Sequence, residues 1–236
     1  MRIYLPPDAN CLLSVADHCL RSRNYVNLIV IDKQFHLQFL PMQQAIDHCT
    51  RGLSIWQWAS NADSIEPDVV LACAGDVMTM ETVAAAWWLR HHLPELKVRV
   101  VNVVDLMTLY PPDVHPHGID DATFTEIFTL DKPVVFAFHG YQRAIHELIH
   151  GRPNAARFHV RGFNEQGTTT TPFDMVVLNQ VSRYHLCILA MQHAPRLQHL
   201  TPTFIQECND LLTKHYSYIR TNFEDMPEVR DWVWTD

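Results

Sequence analysis

The sequence predicts an α/β fold with a largely parallel sheet. Two observations carry this. Between Asp68 and Phe163, short apolar and β-branched runs alternate with helix-length segments, and such spacing is that of strands joined by crossover helices, each covering a face. In addition, 47% of the 236 residues are apolar, ample for a core.

Taken in order, Asp8 is placed to cap a helix from Ala9 to about Ser22, because Leu12, Leu13, Ala16, Cys19 and Leu20 recur at helical spacing. YVNLIVID (25–32) reads as a strand buried on both faces. Gln43–Thr50 reads as a helix ended by Gly52, and SIWQWAS then brings Trp56 and Trp58 before the polar break NADSIEP. DVVLACAG is a strand and Thr79–His91 a helix. KVRVVNVV (97–104) is the next strand, 120–130 a short helix, PVVFAFH (133–139) a strand, and Arg143–His150 a helix stopped by Gly151. ARFHVRGF (156–163) closes the series. From Pro172 to the end the chain reads as helical, with Pro195 and Pro202 as breaks.

Charge excludes several function classes. Eighteen Lys and Arg against 26 Asp and Glu leave a net charge of −8, so no general basic field attracts nucleic acid or anionic lipid. Six scattered cysteines without a C-x-x-C spacing read as free thiols of a reducing, cytosolic compartment. No run approaches a membrane span and the first residues do not resemble a signal peptide, so a soluble, untargeted protein is expected.

Several motifs invite chemistry. HELIH (His146–His150) matches H-E-x-x-H, which sets two imidazoles one helical turn apart for zinc. The helix is short, Gly151 and Pro153 end it, and no third ligand follows at a familiar spacing; among fifteen histidines it reads as a chance match, and no metal is expected. HPHG (His115–Gly118) reads as a surface turn. Ala74-Gly75-Asp76 lies between a strand and a helix, where sheet folds bind ligands, but lacks the G-x-G-x-x-G of dinucleotide sites. Cys73 and His139, each at a strand end, suggest a thiolate and a base, although a thiol within a strand core is usually inert. No catalytic residue is assigned.

The run GTTTTPFDM (167–175) has two readings. Thr171 precedes Pro172, which suits the first helical position, and Asp174 stands three residues on, so Thr171 is the N-cap of a helix running through MVVLNQVSRYHLCILAM. Backbone donors and the helix dipole also favour an anion there, which makes Thr170 and Thr171 a candidate anion or docking site.

RIYLPPDANCLLS, the strand with Lys33-Gln34, VVLACAGDV, VRVVNVVDLM, DKPVVFAFHGY, HVRGF and EQGTTTTPFDMVVLN with SRYHL together resemble, in order and spacing, the C-terminal part of phosphoketolases. The resemblance covers nearly the whole chain. It implies a Rossmann-like, three-layer domain of the transketolase C-terminal type over 41–236, preceded in 1–40 by the tail of a pyrimidine-binding domain and linker. It implies a thiamine diphosphate and magnesium enzyme, an aldehyde-lyase that cleaves xylulose 5-phosphate or fructose 6-phosphate with phosphate to acetyl phosphate and an aldose phosphate. Lys33 occupies the place of the family lysine that contributes to the substrate phosphate subsite. The sequence departs from the family at Asp32, where glycine is expected, and a carboxylate there is expected to reshape the turn and weaken anion binding. The family's G-D-G and asparagine for magnesium and diphosphate are not in this chain. The chain alone is therefore expected to bind no cofactor and to be inactive, working with upstream thiamine-binding domains or a separate chain, in a homo-oligomer. Trp56 and Trp58, with the N-terminal helix and strand, are expected to leave apolar surface exposed for association. The alternatives are a non-catalytic module that keeps the fold and, resting on fold analogy alone, an independent hydrolase or reductase.

Overall fold

A five-stranded sheet forms the centre of the computed structural model, which describes residues 1–62, 65–164, 167 and 169–235. In chain order the elements begin with β1 (Arg2–Tyr4), α1 (Ala9–Arg21), β2 (Asn27–Ile29), α2 (Met42–Arg51) and β3 (Leu53–Ile55). There follow β4 (Val69–Ala74), α3 (Asp76–His92), β5 (Val98–Val103), α4 (Asp121–Phe128), β6 (Val134–Phe138), α5 (Gln142–Leu148) and β7 (Phe158–Gly162). The chain closes with α6 (Pro172–Leu178), α7 (Arg183–His193), α8 (Thr201–Asn222) and α9 (Pro227–Arg230).

The strand order is β3-β5-β4-β6-β7, parallel except for β3, which pairs antiparallel with β5 at one edge. Every residue of β4 is buried, as a strand covered on both faces must be. Its side chains alternate between two cores. Val69, Leu71 and Cys73 pack with α3, α6, α7 and α8, while Val70, Ala72 and Ala74 pack with α4 and α5. Three layers result, with burial of each large aliphatic side chain contributing roughly 1.5–3 kcal/mol.

A buried polar relay ties the layers. His48 receives a hydrogen bond at Nδ1 from the Ser54 hydroxyl (2.7 Å) and donates through Nε2 to Asn102 Oδ1 (2.8 Å). Asn102 donates to Thr79 Oγ1 (2.9 Å), and Thr79 donates to the Gly75 carbonyl (2.6 Å). Burial pushes the His48 pKa down to about 4, which keeps the ring neutral.

Several expectations change. The strand expected at 25–32 shrinks to β2, which lies at the surface and, among the described residues, pairs with β1 alone, a strand not anticipated because three residues give little periodicity. Trp56 is only 2% exposed and Trp58 is half-buried; they pack on Phe39 and, for Trp58, on Trp234 (5.1 Å), so they do not form the exposed patch. The helix after Thr171 is not continuous: α6 ends at Leu178, and Gln180 in the left-handed region (φ 56°) turns the chain before Ser182 opens α7. Pro202 starts α8 in its first turn and breaks nothing. Glu165, Gln166 and Thr168 lie outside the described residues.

Candidate functional site

The connections out of β4 and β6 leave in opposite directions. After β4 the chain enters α3 on one face, and after β6 it enters α5 on the other, so a crevice opens at the carboxyl ends of these neighbouring strands. Gly75 makes the turn possible. Its φ of 106° is costly for any other residue, and an added Cβ would lie 2.4 Å from the His139 Cβ. Removing that side chain lets the Asp76 carboxylate meet His139 Nδ1 at 3.0 Å.

Asp76 also anchors the segment carrying Lys33. Its Oδ2 accepts from the Asp32 N–H (2.7 Å) and its Oδ1 from the Val77 N–H (2.8 Å). Burial alone would raise the Asp76 pKa, but the bonds from His139 and from the backbone of Asp32 and Val77 hold it below the ordinary carboxylate range. Asp32 turns inward: its Oδ1 accepts from the Gln34 N–H (2.7 Å) and meets His36 Nε2 at 2.7 Å. Lys33 is exposed at the rim and makes no ion pair among the described residues. One donor atom each from Asp32, His36 and Asp76 lie within 4.8 Å of one another, a spacing that could hold a cation.

A cleft of about 880 Å³ runs from this loop to the α6–α7 wall. On that wall Thr171 caps α6 with its hydroxyl oxygen 3.3 Å from the Asp174 N–H, as the sequence suggests. Thr170 donates its hydroxyl hydrogen to Asp174 Oδ2 (2.6 Å), so towards the cleft it presents lone pairs. Asp174 Oδ1 lies 3.1 Å from Nε2 of the fully buried His215. Arg183 is held by Glu81, both nearly inaccessible, through Nη2 to Oε1 (2.7 Å) and Nε to Oε2 (3.1 Å). Asp225 accepts the Phe173 N–H (2.9 Å) and keeps its other carboxylate oxygen buried without a partner. Among the described residues the cleft thus combines one free ammonium, one unpaired carboxylate oxygen and apolar walls from Phe163, Phe173 and Val176.

The structure brings Lys33 and Thr170 to one cleft. It gives Cys73 and His139 different partners: His139 pairs with Asp76, while Cys73 donates to the Val101 carbonyl (3.6 Å) and burial raises its thiol pKa. His146, Glu147 and His150 are exposed on α5 and the turn after it. Sequence reasoning missed the Asp76–His139 pair, although both residues follow parallel strands, and that shared position was the available signal. His215 and Asp225 carried no such signal; they arrive from the far end of the chain.

Fold and crevice define an α/β domain of the transketolase C-terminal type. Solved structures agree: transketolase from Leishmania mexicana matches with a TM-score of 0.54 at 14% identity, over 83% of this chain and 25% of that one. A structure described as "Split gene transketolase, inactive beta4 tetramer" matches at 0.51 and 15% identity, over 82% of this chain and 57% of that one. The chain belongs to the phosphoketolase family: the XFP C-terminal domain matches residues 33–234, and D-xylulose 5-phosphate/D-fructose 6-phosphate phosphoketolase matches residues 1–22. "Probable phosphoketolase 2" of Nostoc sp. is 58% identical over 234 residues, covering 99% of this chain, and a "Probable phosphoketolase" of Rhodopseudomonas palustris is 57% identical over the same length. The chain spans about 30% of the length of these relatives.

Proposed function

We propose that this chain supplies the C-terminal portion of a phosphoketolase, an aldehyde-lyase that cleaves xylulose 5-phosphate or fructose 6-phosphate with inorganic phosphate to acetyl phosphate and an aldose phosphate. The observation that carries the reading is Lys33, exposed on the cleft rim without a carboxylate partner among the described residues, in a chain that matches the XFP C-terminal domain over residues 33–234. An ammonium there offers point-charge attraction to a sugar phosphate without demanding bidentate geometry. Asp32 does not cancel it, because that carboxylate points into its own loop towards Gln34 and His36. Thr170 and Thr171 shape the opposite wall, where docking of the ligand or of a neighbouring domain falls on lone pairs supplied by Thr170.

Thiamine diphosphate with magnesium would supply the carbanion chemistry of such a reaction. The cleft does not fit that group. Lys33 is its one unpaired cation among the described residues, since Arg183 and Arg230 are both held by carboxylates, which is too little to hold a diphosphate, and no step is placed on the cofactor here. In this reading the cofactor sits on upstream domains or on a separate chain carrying them, the assembly is a cytoplasmic homo-oligomer, and the chain alone is inactive.

The test is an acetyl phosphate assay on the pure chain, then on the chain mixed with a phosphoketolase truncated before this region. No turnover alone and turnover on mixing are expected, with Lys33→Met lowering kcat/KM about tenfold or more, the loss of one charge-assisted contact. Turnover by the isolated chain refutes inactivity. Association without turnover favours the alternative of a non-catalytic module.

A further inference from the structure

A second cavity, of about 330 Å³, lies where the N-terminal segment meets the sheet domain, lined among others by Tyr4, Ser14, His18, Arg51, Asp105 and His117. Two polar groups here are unusual. Tyr4 is 3% exposed, yet among the described residues its buried hydroxyl has no hydrogen-bond partner. Arg2, two residues away, is 8% exposed, has an unpartnered buried Nε, and meets no carboxylate within ion-pair distance among the described residues. Its contacts are with His18 and with the face of Tyr25, 3.5 Å away.

The remaining lining groups have the same polarity. Arginine only donates, so His18 Nε2 accepts from Arg2 Nη1 (3.1 Å), and a neutral ring keeps its hydrogen on Nδ1. The acidic member is already engaged: Asp105 accepts the Met107 N–H at Oδ1 and pairs with His117 at Oδ2. What is left among the lining groups is a set of donors from Tyr4, Ser14, His18 and Arg51, the last of them charged.

We propose that this cavity binds a small oxyanion, a phosphate or carboxylate group, at the junction of the N-terminal segment and the sheet domain. The ligand gives the Tyr4 hydroxyl the acceptor it lacks and meets the Arg51 guanidinium at the cavity wall, and it clamps β1 and α1 to α2 across the cavity. The site is separate from the Lys33 cleft and shares no lining residue with it.

The experiment titrates the purified chain with sodium phosphate and, separately, sodium malonate at fixed ionic strength, by calorimetry and by amide chemical shifts. One saturable site per chain with a Kd below about 1 mM is expected, with the shifts centred on the amides of Thr50 to Gly52. Saturation by phosphate alone assigns a phosphoryl ligand, by malonate alone a carboxylate, and by both the shared oxyanion chemistry; each supports the proposal. Tyr4→Phe, which keeps the ring, weakens binding about tenfold, and Lys33→Met leaves it unchanged. Should Tyr4→Phe fail to fold, Arg51→Gln at the exposed end gives the same reading. Saturation by neither anion up to about 10 mM overturns the proposal, as does binding unmoved by Tyr4→Phe and Arg51→Gln, or binding abolished by Lys33→Met.

Discussion

Glu81 and Arg183 stand 102 residues apart in sequence and meet in the cleft wall with almost no access to water. Burial works against the Arg183 charge, but the attraction and hydrogen bonds of Glu81 outweigh it and raise the guanidinium pKa. Removing one partner leaves the other charge buried alone. Arg183→Met is therefore expected to lower unfolding free energy by about 3–5 kcal/mol in urea titrations, and pairing it with Glu81→Gln to cost less than the two single losses added together. Thr171→Ala, losing an N-cap, is expected to cost about 1 kcal/mol in the same measurement. Local residues such as these caps were legible in the sequence: Asp8 accepts the Cys11 N–H and Thr171 the Asp174 N–H, and both are written within four positions. Glu81 and Arg183 were not, because nothing within a few positions of either announces a partner across the fold.

The elements follow the sequence where periodicity is long and fail where it is short. Strands β4 to β7 lie within the runs that predict them, whereas β1 and β3 span three residues each and β3 runs antiparallel, which no local pattern specifies. At the mouth of α3, Gly75→Ala is expected to destabilise the protein by more than about 1 kcal/mol, since the strained φ and the Cβ clash with His139 act together. Loss of the Asp76–His139 contact would show as a shifted imidazole resonance. The relay through His48 adds a pH dependence. Its folded pKa near 4 lies below the ordinary 6.5, so between these values the unfolded chain binds more protons. Stability is full above about pH 6.5 and falls as pH drops towards 4, and His185, also held near 4 chiefly by burial, acts in the same direction. Denaturant midpoints measured across this window are expected to decline with acid, and His48→Gln to flatten the slope.

At the scale of the whole molecule, the apolar surface expected for association is present on the N-terminal helix and strand, as expected, but the tryptophans add nothing to it. Trp56 and Trp58 turn inward, while Leu13, Leu20, Val26, Leu28, Ile31 and Phe35 are exposed along the first forty residues. The three-layer architecture was readable because alternating strands and helices leave few topologies; the direction of the tryptophans was not, because their packing partners Phe39 and Trp234 come from opposite ends of the chain. Sedimentation of the pure chain at micromolar concentration is expected to show self-association, reduced by Leu28→Lys, with a single monomeric species counting against it. The β1–β2 ribbon sharpens this expectation: β1 is bridged to Asp105 on its far side, whereas among the described residues β2 is paired with β1 alone and leaves its outer flank open. Cells producing this polypeptide without a companion should accumulate it poorly, and co-production with a polypeptide able to add a neighbouring strand should restore its yield and its resistance to proteases near Val26.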